Sequence, residues 1–292
     1  MKEAGETSGP RLKVAVTGAS GCIGSSLVPV LTSCGCEVFA INSDDEAKAL
    51  SPSARFDVFV NLAWLGSRGA QRGDYGLQLK MVRTALDYYC LALRLGCRRF
   101  VCPGTIGELM VELPECQGIR SQSFVYVNAK GFLHRLLRAV ERPDACRVIW
   151  ARLGNLYGTG DSGNLLNWML GKILAGEEAA LGPARQPYEF VAIEDCARAL
   201  SSLVTSPELG HACYYVGAGE PRMLCDLLRE AGRIAGHEEL VGIGRRPDDG
   251  TRYRQEWFDI SPLTADTGFR PAVPFSDGVR RLVASLRKGG TP

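Results

Sequence analysis

The chain has little net charge. Its 292 residues hold 34 lysines and arginines against 32 aspartates and glutamates, a balance of +2, and no basic stripe stands out. The arginine pairs at 245 to 246 and 280 to 281 are short and read as solvated faces, so a nucleic-acid binder is excluded. Histidine is scarce: His134, His211 and His237 lie far apart, and none of the eleven cysteines forms a CxxC pair. Cys34 and Cys36, in SCGCE, make only a CxC that reads as packing, so a zinc centre is unsupported. An odd number of cysteines rules out a complete disulfide framework within one chain, which points to a reducing cytoplasm. A long apolar run is missing as well. The polar start MKEAGETSGP implies neither a signal peptide nor a spanning helix, and residues 1 to 10 are expected to be a loose tail.

What is present is the composition of an ordinary globular protein, 46% hydrophobic and 23% charged, long enough for one α/β domain or two packed ones. The stretch LKVAVTGASGCIGSSLVPVLTSCGCEVFAIN reads as a βαβ unit, with a strand at Val14 to Val16, a glycine-rich turn, a helix, and a strand at Glu37 to Ile41. Gly18, Gly21 and Gly24 space as GxxGxxG. The first permits a tight turn, the second lets backbone approach a pyrophosphate, and the third lets helix pack on strand. The helix N-terminus then offers N–H groups to phosphates.

Further strands are expected at 56 to 64, 97 to 105 and 146 to 158, with a helix over roughly 75 to 95 ending at Gly96. Strands alternating with helices imply a Rossmann-type, doubly wound parallel sheet, and ligands of such sheets sit beyond the strand C-termini. That places Ala63, Thr105 and Asn155 around one crevice. FVYVNAKGF sets Tyr126 and Lys130 four apart on one helical face, where an ammonium group would stand within reach of a phenol.

Taken together, TGASGCIG, DVFVNLAW, FVCPGT, the Tyr126/Lys130 pair, RLGNLYGTGD, QPYEFVAIED, RRPDDG and DISPLTADTGFRP resemble the extended short-chain dehydrogenase/reductases of the nucleotide-sugar epimerase/dehydratase group, from Lys13 to about Leu286. The resemblance implies a dinucleotide-binding domain over 11 to 154. Residues 155 to 292 would form mainly a substrate-binding domain with segments returning to the sheet. It implies that Tyr126 moves a proton on a substrate oxygen, that Lys130 lowers its pKa and holds the nicotinamide ribose, and that Thr105 orients the same oxygen. Gly18, Gly21, Cys22, Ile23, Gly24, Asn42, Ser43, Leu62, Ala63 and Lys80 would line the cofactor site. Asn155, Tyr188 and Arg246 would meet the substrate, with the Arg246 guanidinium clamping a diphosphate. No metal is implied. The family often pairs through two helices, here 75 to 95 and 126 to 141, so a homodimer is expected, in the cytoplasm and off the membrane.

Five departures from the family pattern qualify that reading. Thr105 is followed by Ile106 and Gly107 rather than the acidic pair of the 4,6-dehydratases, and Glu108 reads as a loop or lid residue that could also reach the site. Asn42 stands where NAD-preferring members carry a carboxylate. A neutral amide tolerates a 2′-phosphate, which leans the cofactor to NADP over NAD even with Asp44 and Asp45 near. Only fourteen residues separate Asn42 from Asp57, so the adenine pocket must be abbreviated. Lys80 replaces an asparagine and reads equally as a surface lysine. Tyr188 replaces the second diphosphate arginine, for which Arg185 or Arg152 could compensate, although Arg152 also reads as an internal ion-pair partner. Trp64, Trp168 and Tyr157 read as core or as stacking platforms.

The leading expectation is an NAD(P)-dependent reductase of 4-keto-6-deoxy sugars, or a C4-type epimerase, acting on a nucleoside-diphosphate sugar. The alternatives are a reductase of a non-nucleotide carbonyl compound and a non-catalytic NAD(P)-binding protein.

Overall fold

The computed structural model describes residues 11–51, 53–159 and 163–289, and the tail expected over residues 1 to 10 lies outside them. Six parallel strands form the central sheet: β1 (Lys13–Thr17), β2 (Glu37–Ile41), β3 (Val58–Asn61), β4 (Arg99–Thr105), β5 (Arg147–Leu153) and, later in the chain, β10 (Cys213–Val216). Their order is β10-β5-β4-β3-β1-β2. Strands buried on both faces read as near-continuous apolar runs, and alternate residues feed opposite cores. Val14, Val16, Val60, Val101 and Ile149 face one core. Ala15, Phe59, Phe100 and Trp150 face the other.

Helices α1 (Cys22–Ser33) and α6 (Ile193–Thr205) cover the first face. Helices α3 (Tyr75–Arg94) and α4 (Gln122–Val140) cover the second. Each of the latter two starts at a side-chain cap, where Asp74 accepts from Leu77 N and Ser121 from Phe124 N. Between Asn42 and Asp57 the chain makes one short helix, α2 (Asp44–Ala49), so β2 is left as the sheet edge. Phe39 on that edge is 47% exposed and leans edge-on against Phe56.

Pro103 inside β4 is unusual, since proline cannot donate to a ladder. It is tolerated because β3 pairs with β4 only as far as Val101, so the β3 side of the strand is already free at Pro103. Gly104 beside it is required by packing, as a Cβ there would stand 2.3 Å from the Trp150 indole.

Beyond β5 the elements shorten. The expected strand at 146 to 158 breaks at Gly154, where a Cβ would meet the Tyr215 hydroxyl at 2.6 Å, and resumes as β6 (Asn155–Tyr157). β6 pairs with β9 (Phe190–Ala192), β7 (Ala179–Ala180) with β12 (Val241–Gly242), and β8 (Pro187–Tyr188) with β11 (Arg222–Met223). Helices α5 (Leu165–Leu174), α7 (Leu224–Ala235) and α9 (Phe275–Gly289) close a separate apolar cluster with Tyr157, Tyr188 and Phe190. Helix α8 (Ser261–Thr267) packs beside β10, so this part of the chain also contributes α6, β10 and α8 to the sheet layer.

Candidate active site

The glycine loop is shaped by backbone alone. Gly18 has φ +67°, and a Cβ on it would lie 2.9 Å from Ala63 N and from the Leu62 carbonyl carbon. A Cβ on Gly24 would lie 2.3 Å from Gly18 O. Gly21 is the N-cap of α1 without a side-chain cap, and the first turn, opened by Cys22 and Ile23, carries no acidic residue. Bare N–H groups at an uncrowded, uncharged helix start fit a pyrophosphate. Leu62 and Ala63 back this loop from the end of β3.

Asn42 Oδ1 accepts from Ser20 N at 2.9 Å, tying the end of β2 to the loop. The Asn42 N–H in turn donates to Glu46 Oε2 at 2.7 Å, while Ser43 Oγ accepts from Glu46 N at 3.1 Å. A carboxylate therefore does stand at the end of β2, reaching back from α2. The Ser-x-x-Glu pattern of a capping box marks it in the sequence, although Asp44 and Asp45 are the more conspicuous acids there.

Thr105 ends β4, and Tyr126 lies in the second turn of the α-helix that follows, α4. Tyr126 is half-buried, edge-on to Trp64 at 6.2 Å, with the Arg72 guanidinium carbon 4.4 Å from its ring centre. Burial pushes its phenol up to about 12, Arg72 pulls it down and Glu108 pushes it further up. Lys130, one turn along, is turned elsewhere: its Nζ donates to Pro103 O at 2.9 Å and sits 3.7 Å above the Trp64 ring. Burial lowers this ammonium to about 8. The cation acting on Tyr126 in this structure is thus Arg72 rather than the expected Lys130. Arg72 comes from a 3₁₀ helix at Gly69–Gly73, in a loop without periodicity to mark it.

Thr105 Oγ1 accepts from Gly107 N at 3.3 Å and caps the 3₁₀ helix Ile106–Glu112. Glu108, expected as a loop or lid residue, is instead a buried hub. It accepts from Trp150 Nε1 at 2.8 Å, Arg152 Nε at 2.9 Å and Thr105 N at 3.3 Å, with His134 Nδ1 at 3.4 Å. Burial pushes its pKa up, but His134, Arg152 and Trp150 outweigh that and leave it lowered. Arg152 is accordingly the internal ion-pair partner that was one of its two readings.

Lys80 is exposed on α3, its surface reading, while Gln78 is buried. Gln78 accepts from Trp64 Nε1 at 3.0 Å and donates to Gly66 O and Gln71 O, fastening the loop that carries Arg72. Tyr188 is buried among Phe190 and Tyr253 at ring distances of 5.0 and 5.5 Å, with a phenol raised well above its usual range by burial. Asn155 Nδ2 donates to Glu189 O at 3.3 Å. Arg246 is exposed, with its guanidinium carbon 5.6 Å above the Trp168 ring. Tyr157 is core, 1% exposed. Glu189, whose role the sequence does not mark, is buried and accepts from Tyr215 Oη, Ala218 N and Glu220 N, shaping the turn after β10. Among the described residues no His/Cys/Asp/Glu group is arranged for a metal.

A doubly wound sheet with a glycine-rich first turn, and a tyrosine and a threonine at its C-terminal edge, defines a dinucleotide-dependent enzyme class. The family model described as NAD dependent epimerase/dehydratase matches residues 14–217, and the chain belongs to that family. No curated protein matches it in sequence. Solved structures similar to it include MoeE5 in complex with UDP-glucuronic acid and NAD, at 19% identity and TM-score 0.76, covering 94% of this chain and 99% of that one. The UDP-glucose 4-epimerase of Thermus thermophilus, in complex with NAD, is similar at 22% identity and TM-score 0.72, covering 96% and 100%. RMD from Pseudomonas aeruginosa with NADPH follows at 18% identity and TM-score 0.73, covering 95% and 99%.

Proposed function

We propose that the protein transfers a hydride on a nucleotide-linked sugar, with Tyr126 as the group that gives and takes the matching proton. The observation that carries this reading is that the Gly18 loop follows β1, Thr105 ends β4 and Tyr126 lies edge-on to Trp64 just beyond β3, so that all three stand at strand C-termini. A nicotinamide cofactor, when bound, supplies the hydride acceptor and donor. Gly18, Gly21, Cys22, Ile23 and Gly24 would hold its pyrophosphate, with Leu62 and Ala63 behind. The Glu46 carboxylate at the end of β2 would repel a 2′-phosphate, so we take NAD rather than NADP as the partner, against the expectation from Asn42 alone.

Tyr126 Oη donates to, or accepts from, the oxygen on the reacting carbon, and Thr105 Oγ1 shares that oxygen. Lys130 would leave Pro103 O for the nicotinamide ribose. Arg246, which forms no ion pair with the described carboxylates, would take the diphosphate, supported by Trp168. Residues from 155 onward outside α6, β10 and α8 would make up the substrate side. Assembly as a homodimer in the cytoplasm is part of the reading. Tyr75 and Leu79 on α3, and Phe132 and Val140 on α4, are exposed apolar groups on the two helices concerned, and no described helix is long and apolar enough to cross a membrane.

A second reading, reduction of a non-nucleotide carbonyl compound, is favoured by one observation: Tyr188 puts buried aromatic surface where an arginine was expected. Native mass spectrometry, with identification of what denaturation releases, separates the cases. Retained NAD with turnover of a UDP-sugar, lowered about 10²-fold or more in Tyr126→Phe without loss of NAD, supports the first reading. Turnover of simple ketones with no affinity for any nucleoside diphosphate supports the second, and full activity in Tyr126→Phe removes the tyrosine from both.

A further inference from the structure

The feature least explained by the mechanism above is Arg72. Its Nη1 donates to Ser67 O at 3.1 Å, its Nε is buried without a partner, and it forms no ion pair among the described residues. It lies against the Tyr126 ring and acts electrostatically on Tyr188 and Tyr253 as well, and no carboxylate among the described residues forms an ion pair with it. Two acidic groups also act on these tyrosines, and neither pairs with Arg72 among the described residues. Glu108 is held by Trp150, Arg152 and His134, and Asp249 Oδ1 accepts from Thr251 N. A half-buried guanidinium without a counter-ion is unfavourable unless a ligand provides one, and its planar fork matches an oxygen pair.

We propose that Arg72 holds a carboxylate on the sugar itself, so that the substrate is a nucleotide-linked uronic acid. The placement decides between the two anions such a substrate carries. The guanidinium is stacked on the residue proposed to exchange a proton with the oxygen on the reacting carbon, which is where the sugar ring must sit, and Arg246 on Trp168 is a separate cation free for the diphosphate. A carboxylate at Arg72 fixes which face of the ring meets Tyr126. This inference rests on the nucleotide-sugar reading for its ligand class but depends on Arg72 alone for its acid preference.

The test is calorimetric titration of the NAD-supplemented full chain with UDP-glucuronic acid, UDP-glucose and UDP, repeated with Arg72→Met and Arg72→Lys. Free glucuronate and glucose serve as a nucleotide-free pair, read by thermal shift. The expected result is a preference of about tenfold or more for UDP-glucuronic acid over UDP-glucose, lost in Arg72→Met, partly kept in Arg72→Lys, with UDP affinity unchanged. Equal affinity for acid and neutral sugars in both pairs, or a preference that survives Arg72→Met, overturns it. A parallel loss of UDP affinity in Arg72→Met assigns Arg72 to the diphosphate and also overturns it. If no UDP ligand binds while the glucuronate preference persists and depends on Arg72, the carboxylate role stands and the nucleotide reading falls.

Discussion

The glycine loop and the tyrosine wall lie on the same edge of the sheet but are built by opposite means. In the loop, shape comes from the absence of side chains at Gly18, Gly21 and Gly24, and every contact that matters is to backbone a few residues away or on the neighbouring strand. In the wall, Trp64, Arg72, Tyr126, Tyr188 and Tyr253 arrive from separate segments and define the space with their side chains. A site made of backbone is specified locally and has no room for a Cβ at Gly18 or Gly24. A site made of side chains is specified by the whole fold and can be retuned residue by residue.

The largest effect expected from that contrast is at Gly24. Gly24→Val would drive a branched side chain into Gly18 O and Ala19 O, which an alanine Cβ would already approach to 2.3 and 2.6 Å. NAD binding measured by fluorescence titration should weaken by about 100-fold or more, since α1 can no longer seat against β1. Ser25→Ala, one position on, removes only a hydroxyl that donates to Cys22 O at 3.2 Å and should leave NAD affinity within about twofold. Comparable losses in the two variants would mean the loop is not backbone-defined.

On the wall side the corresponding break is Glu108→Gln. Removing the charge strands Arg152, whose side chain is 18% exposed, and a broken buried pair of this kind costs about 3 kcal/mol. Because the folded pKa of Glu108 is lowered, its contribution is present above the unfolded carboxyl value and is lost as pH falls through the folded one. Urea midpoints of wild type and variant should therefore converge in acid. A constant gap from pH 7 down to acid would remove Glu108 as the titrating group.

These two sites also mark what the sequence made legible. β2 was readable to the residue, Glu37–Ile41, and so was the abbreviation after Asn42, because periodicity and chain length are local properties. The strand expected over 56 to 64 stops at Asn61 because Leu62 and Ala63 turn beneath the glycine loop, a constraint exerted by a segment 44 residues earlier. Glu108 and Arg152 are likewise 44 apart, and the meeting of Arg72 with Tyr126 spans 54 positions and four elements of structure. No spacing rule reports such encounters. Glu46 is the instructive miss, since its capping pattern was local and available.

A smaller effect is expected at Lys130, which sits over Trp64 on the wall side. Its ammonium titrates near 10.5 when exposed and at about 8 when folded, with burial as the cause. Between those values the unfolded chain carries the extra proton, so this group makes stability rise with pH, and below about 8 the folded state bears the whole penalty. Lys130→Met should thus stabilise the cofactor-free protein at pH 7 by about 1–2 kcal/mol, and the difference should shrink as pH approaches 10.5. A variant less stable than wild type at pH 7 would show that the Pro103 and Trp64 contacts outweigh burial.

The smallest effect separates packing from polarity in the apolar cluster beyond the sheet. Tyr157 is 1% exposed, its hydroxyl is buried without a partner, and burial pushes the phenol well above its usual range. The same hydroxyl lies where a Cβ on Gly278 would stand, at 1.9 Å, so α9 approaches as closely as it does only because position 278 has no side chain. Tyr157→Phe keeps the ring against Phe190 and Phe275, deletes the unsatisfied group, and should raise stability by up to about 1 kcal/mol in urea unfolding. Gly278→Ala should do the reverse in the wild type and be partly rescued in the Tyr157→Phe background, where the space left by the oxygen receives the methyl group. If the two changes prove additive, the close approach of Tyr157 to α9 is not what limits this cluster, and its aromatic contacts rather than its glycine set the seating of the helix.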